Sequence, residues 1–365
     1  LGNGTVTGTT TPNTSATTTI LGRLTIANAH YLNAGSTIWD LAGTGTVFTE
    51  TGTLLEGTST IRFSGAGANV PSTSYYNLLV EAGAGSATYT SLGSGILVLN
   101  NLTIGGAATS ILNLNTNDTI LEVRGDVQIN SNGTLEASNS AALTLLTNYT
   151  NDGTFNGNSG TISFTGSTTS NIAAGASSFS NVAINGTGNF VLTESATSTS
   201  NFVLTNHSNF TVNSGQTLAV GGQFTNTLGG AATTFTGSTL SLYGASTYNI
   251  NASTTNDVYE NLNVGAGTQI RMWNSSASAY NVNSTGSLYS QDHAGVNGDA
   301  YIYGRLVRST GNDYWSYLTD FDGTSISGSP RIANIYFASG ASATWNGASL
   351  YVIGSTSATT TIQNQ

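Results

Sequence analysis

The sequence predicts an all-β fold, a right-handed parallel β-helix (β-solenoid) with about 20–24 residues per coil. Three observations predict it. One phrase recurs along the chain, a second phrase runs in step with it, and apolar residues alternate in pairs every 8 positions.

The first phrase reads HYLNAGSTIWD from His30, VQINSNGTLEA from Val127, FTVNSGQTLAV from Phe210 and YNVNSTGSLYS from Tyr280, with a fainter copy, IYFASGASATW, from Ile335. Each copy reads as a short strand, an Asn-led turn of small residues, and a second strand. Its asparagines, Asn33, Asn130, Asn213 and Asn283, stand 97, 83 and 70 apart. The second phrase is SYYNLLVEAGAG, SFSNVAINGTG and VYENLNVGAG, with Asn77, Asn181 and Asn261 separated by 104 and 80 residues. The difference, 104 − 80 = 24, equals three strand steps of 8, so whole coils are expected to be added or dropped.

Those steps are explicit in two stretches. Val127/Ile129, Leu135/Ala137 and Leu143/Leu145 are expected to point inward, as are Phe202/Leu204, Phe210/Val212 and Leu218/Val220. Asn132-Gly133, Ser214-Gly215 and Gly221-Gly222 fall between the pairs, where turns needing φ > 0 are expected. One continuous solenoid over 1–365 follows. The stretch Gly311–Gly328 breaks the pattern and reads as a projecting loop.

Composition narrows the function. Only 7% of residues are charged, 38% are hydrophobic, and the chain holds 45 Gly and 3 Pro. A disordered Ser/Thr/Gly chain has no reason to keep period-two alternation. With 17 acidic against 7 basic residues, a formal charge of −10 argues against nucleic acid, which needs clustered Lys and Arg. Cysteine is absent, and no apolar run approaches the roughly 18 residues of a membrane span. The start at Leu1-Gly2-Asn3 reads as a processed product or an excised segment.

The phrases YYNLLV, FSNVAI and YENLNV, with NYTNDGTFNGNSGTISFTG from Asn148, resemble the "FYNLTI"-type repeats of large secreted bacterial surface proteins. That resemblance, over about Tyr31 to Trp345, implies a β-helix of adhesin or autotransporter-passenger character at the cell surface. It carries no catalytic residues.

TSATTTI occurs twice, as Thr14, Ser15, Ala16, Thr17, Thr18, Thr19 and Ile20 and as Thr356, Ser357, Ala358, Thr359, Thr360, Thr361 and Ile362. These residues are expected to join subunits head to tail, because uncapped solenoid ends expose unpaired backbone and a heterologous contact generates an open filament. The expectation is therefore a homopolymeric extracellular fibre or surface-layer subunit. The alternative is a cell-surface adhesin stalk binding carbohydrate or host or neighbour surfaces, with Tyr314, Trp315 and Tyr317 as a sugar-stacking or protein-contact patch. Asp320 and Asp322 of the same loop suit Ca²⁺, although DFDG lacks the later bidentate Glu of an EF-hand and reads more plainly as a solvated turn. No other cofactor is expected. The remaining acids are scattered and His30, His207 and His293 lie far apart, so catalysis is not expected. A surface or turn position suits His30 and His207.

Overall fold

The computed structural model describes residues 4–6, 17–228 and 232–244, with the strands 247–251, 257–264, 269–273, 279–290, 295–297, 299–302, 305–308, 335–337, 342–345 and 362–364. The chain forms a parallel β-solenoid of about 22 residues per turn. It falls into two compact units, Leu1–Asn181 and Val182–Gln365.

In the first unit most coils contribute three short strands, and three long stacks, or faces, result. The first face stacks Thr17–Ile20, Ile38–Leu41, Thr60–Phe63, Asn77–Val80, Leu102–Ile104, Val127–Ile129, Tyr149–Asn151 and Ser170–Ala173. The second carries Asn69–Pro71, Ala87–Leu92, Ser110–Asn113, Gly133–Glu136 and Thr154–Asn156. The third carries Ser74–Tyr75, Gly95–Val98, Ile120–Val123, Leu143–Leu145 and Thr161–Phe164. Every registered pair is parallel. A β-strand exposes alternate side chains on opposite faces, so the period-two pattern alone decides what is inside. Trp39, Ile61, Leu78, Leu102, Val127, Tyr149 and Ile172 form one registered inward column, all of it buried.

The second unit repeats this logic. Asn189–Leu192, Asn209–Val212 and Thr233–Thr234 stack on one another, as do Ala196–Ser198, Thr217–Val220 and Thr239–Leu242, and both registers are parallel. Farther on, Thr239–Leu242 pairs with Asn261–Val264, and Thr247–Asn251 pairs with Gln269–Trp273. All twelve side chains expected to point inward are buried. A 3-10 turn lies at Asn115–Asn117.

Coil length is not fixed. Register carries Thr60 to Asn77, 17 residues on, and Gly95 to Ile120, 25 residues on. The recurring phrases therefore mark local chemistry rather than equivalent places on the coil. YLN of the first copy pairs in Tyr31–Asn33 and turns into the first-face strand Ile38–Leu41, whereas VQI of the second copy is itself a first-face strand turning into the second face. The fourth copy lies within a single strand, Ala279–Ser290, whose partner register jumps between Tyr259 and Asn261.

The glycine expectation holds in part. Gly215 has φ +80° with open space around it, and Gly35 of the first copy likewise has φ +61°. Gly133, Gly221 and Gly222 do not adopt positive φ. Gly133 opens a strand and is required for a different reason: a Cβ there would strike the Ile104 carbonyl of the preceding coil.

Candidate assembly surface

Two polar devices hold coil to coil, and both are built mainly from asparagine. The first is a ladder on the rim of the first face. Asn77 Oδ1 accepts from the Asn101 N–H (3.2 Å) and from Asn100 Nδ2 (2.9 Å), and Asn101 Oδ1 accepts from the Asp126 N–H (3.0 Å). Asp126 Oδ1 accepts from Asn148 Nδ2 (2.9 Å), and Asn148 Oδ1 from the Asn171 N–H (2.9 Å). Each rung satisfies a backbone donor at a corner that the strand ladder leaves out.

The second device explains the second phrase. Asn77, Asn181 and Asn261 each donate both the backbone N–H and Nδ2 to the coil before. Asn77 reaches the Ser59 carbonyl (3.0 and 3.4 Å) and Asn261 the Ser238 carbonyl (3.1 and 3.0 Å). Asn181 bonds the Gly160 carbonyl through N (3.2 Å) and the Ser159 carbonyl through Nδ2 (3.0 Å). Two residues earlier in every copy stands a fully buried ring: Tyr75, Phe179 or Tyr259. The phrase is therefore an aromatic plug followed by an amide clamp. Phe179 sits among Tyr149, Phe155 and Phe164 at centroid distances of 5.7, 5.6 and 6.5 Å, and Tyr259 between Phe224 and Phe235 at 6.5 and 5.1 Å.

Buried hydroxyls are handled unevenly. Tyr75 donates to the Pro71 carbonyl (2.8 Å) and Tyr89 to that of Gly65 (2.6 Å). Burial pushes the Tyr89 hydroxyl up to about 12, with Arg62 opposing, so it stays a donor. Tyr149 is buried without a partner for its hydroxyl among the described residues.

His207 meets the expected turn position but not a surface one. It lies in a corner between Phe202–Asn206 and Asn209–Val212, yet it is only 6% exposed. Neither ring nitrogen meets hydrogen-bond geometry among the described residues. Burial pushes its pKa below the ordinary 6.5, with the backbone of Ala232 the weaker, opposing influence. As pH falls through 6.5 the unfolded chain takes up the proton first. Stability is therefore full above that value and lost below it, at no more than about 1.4 kcal/mol per pH unit. Urea midpoints taken from about pH 8 to about pH 5.5 should fall in the native chain and fall less in H207Q. Parallel profiles would contradict this account.

The outermost strand of the first face is Thr17–Ile20, flanked by Ile38–Leu41 alone among the described residues. Its outward side presents Thr17 and Thr19, while Ile20 is buried. Large exposed apolar side chains gather on the coils beside it. Leu21 is 70% exposed and follows the strand directly, Ile38 registers with Thr17, and Tyr31 and Leu55 lie on paired strands. Four of the seven exposed large hydrophobics among the described residues thus belong to these first coils. In the other TSATTTI copy, Ile362 belongs to Ile362–Asn364, the outermost strand of its sheet among the described residues.

Thr14, Ser15, Ala16, Thr356, Ser357, Ala358, Thr359, Thr360 and Thr361 lie outside the described residues, as do Tyr314, Trp315, Tyr317, Asp320 and Asp322. Among the described residues no three His, Cys, Asp or Glu side chains are grouped to hold a metal ion. Ion pairs are peripheral: Arg62 bridges Asp40 (3.7 Å) and Glu81 (3.6 Å), and Arg124 meets Glu122 (2.7 Å) at the surface, where such pairs add little. No helix among the described residues is long and apolar enough to cross a membrane.

No family model, curated protein or solved structure matches the chain. The strand pairing alone defines the fold.

Proposed function

We propose that the chain is a structural segment of an extracellular fibre or surface layer, joined to a second copy through the strand Thr17–Ile20. The observation that carries this reading is that strand's place at the margin of its sheet among the described residues, beside exposed Leu21, Tyr31, Ile38 and Leu55. A parallel solenoid grows by adding strands to such a margin, and apolar side chains around it give the addition a hydrophobic contribution. The likeness of YYNLLV, FSNVAI and YENLNV to secreted bacterial surface repeats supports the same reading.

The experiment is negative-stain electron microscopy with sedimentation across a concentration series. The full chain is expected to form filaments. The double variant Thr17→Lys/Leu21→Lys, which adds charge only at an exposed edge, is expected to remain monomeric and folded. A native chain that stays monomeric and fibre-free at high concentration would overturn the proposal and leave the adhesin stalk as the better reading.

A further inference from the structure

Three Asn-Gly pairs fall in the fully described part of the chain: Asn132-Gly133, Asn156-Gly157 and Asn185-Gly186. Asn-Gly is the sequence most prone to intramolecular attack, because glycine lacks a Cβ to hinder its own N–H or to restrict the backbone. The structure separates the three. At the first pair every reacting group is committed. Asn132 Nδ2 donates to the Gly106 carbonyl (3.0 Å) and the Gly133 N–H to the Asn130 carbonyl (2.7 Å), while Gly133 is fixed in the strand Gly133–Glu136.

The other two pairs differ in each respect. Asn156 and Asn185 are the last residues of Thr154–Asn156 and Asn181–Asn185, so the glycine that follows each lies outside the strand; both asparagines are exposed, as Asn132 is. Neither side-chain amide is hydrogen-bonded among the described residues, and neither is the N–H of Gly157 or Gly186. At Asn185 the register with the neighbouring strand also shifts, between Ile184 and Asn185.

We propose that Asn156 and Asn185 are modification sites, deamidating spontaneously through a succinimide while Asn132 is protected by the fold. The main-chain nitrogen of the following glycine attacks Cγ. A C–N bond forms, the Cγ–Nδ2 bond breaks, and ammonia leaves with the glycine proton. Water then adds to either imide carbonyl, giving aspartate or, through the other carbonyl, isoaspartate. No oxidant or cofactor is needed. At position 156 the new carboxylate lies in register with Glu136, one rung of about 4.8 Å away, so conversion sets like charges on adjacent coils.

The test is peptide mapping by mass spectrometry after incubation of the full-length protein in mildly alkaline buffer, beside a sample held unfolded in urea. Unfolded, all three pairs should convert at similar rates. Folded, Asn156 and Asn185 should keep much of that rate, while Asn132 should slow by about tenfold or more because its strand must first open. N156Q and N185Q should each abolish the signal at their own site alone. If Asn156 and Asn185 are protected as strongly as Asn132 in the folded chain, the proposal fails.

Discussion

Replacing Phe179 by alanine is expected to be the most damaging single truncation in the first unit, at about 3–5 kcal/mol. The ring is 2% exposed and touches three others, Tyr149, Phe155 and Phe164, two of them edge-on. Edge-to-face pairs add to the area they bury, by about 0.5–1.5 kcal/mol each. Collapse cannot refill the space, because the surrounding strands are pinned by coil-to-coil bonds on both faces of the corner, including Phe155 N–H to Ser177 Oγ (2.9 Å) and the Asn181 clamp. In a solenoid each coil rests on its neighbours, so the loss should be regional. Amide exchange should accelerate at Tyr149–Asn151 and Thr161–Phe164 and stay slow at Ile38–Leu41. Urea denaturation followed by circular dichroism gives the total, and Phe179→Leu should recover most of it. An alanine variant within about 1 kcal/mol of the native chain would show that the cavity is filled after all.

The plug was legible in the sequence only as part of a repeated phrase. Alternation gives the inward pairs directly, since burial in a strand follows from parity: Val127 and Ile129 can only share a face. What parity cannot give is which coil lies above which, because corners absorb insertions without disturbing strands. The ladder Asn77–Asn101–Asp126–Asn148–Asn171 shows this. Its steps are 24, 25, 22 and 23 residues, so a fixed-period search misses it. The available signal was local: each of these residues directly precedes an inward apolar side chain, Leu78, Leu102, Val127, Tyr149 or Ile172.

The burial of His207 is hidden for the converse reason. Its neighbours Asn206 and Ser208 are polar and exposed, which reads as a solvated corner, and the turn position is correct, yet the ring itself is buried. The exposed side chains beside Thr17–Ile20 were equally hidden. Leu21, Ile38 and Leu55 are the residue types that alternation assigns to a core, and only the register shows that they fall on the outer parity.

Gly65→Ala is the second large effect expected, and it separates two reasons for glycine. Gly22, Gly43 and Gly65 follow Ile20, Leu41 and Phe63 by two residues at the same corner of successive coils. A Cβ on Gly65 would run into the Gly43 carbonyl oxygen, with the Gly43 carbonyl carbon at 2.7 Å and the Ala42 oxygen at 2.9 Å. All three obstacles are backbone, so no rotamer change relieves them and the coils must part. The Tyr89 hydroxyl bond to the Gly65 carbonyl would stretch with them. Overpacking costs about 1–3 kcal/mol, and a strained buried hydrogen bond adds about 1 kcal/mol. Gly45 is the matched control: it has φ +69° with nothing within 4 Å of an added Cβ, so alanine there meets only the left-handed backbone cost of about 1–2 kcal/mol. The urea midpoint of Gly65→Ala should therefore fall well below that of Gly45→Ala. Equal midpoints would mean that the coils slide apart at this corner with little resistance, and that close stacking is not what demands glycine in the column.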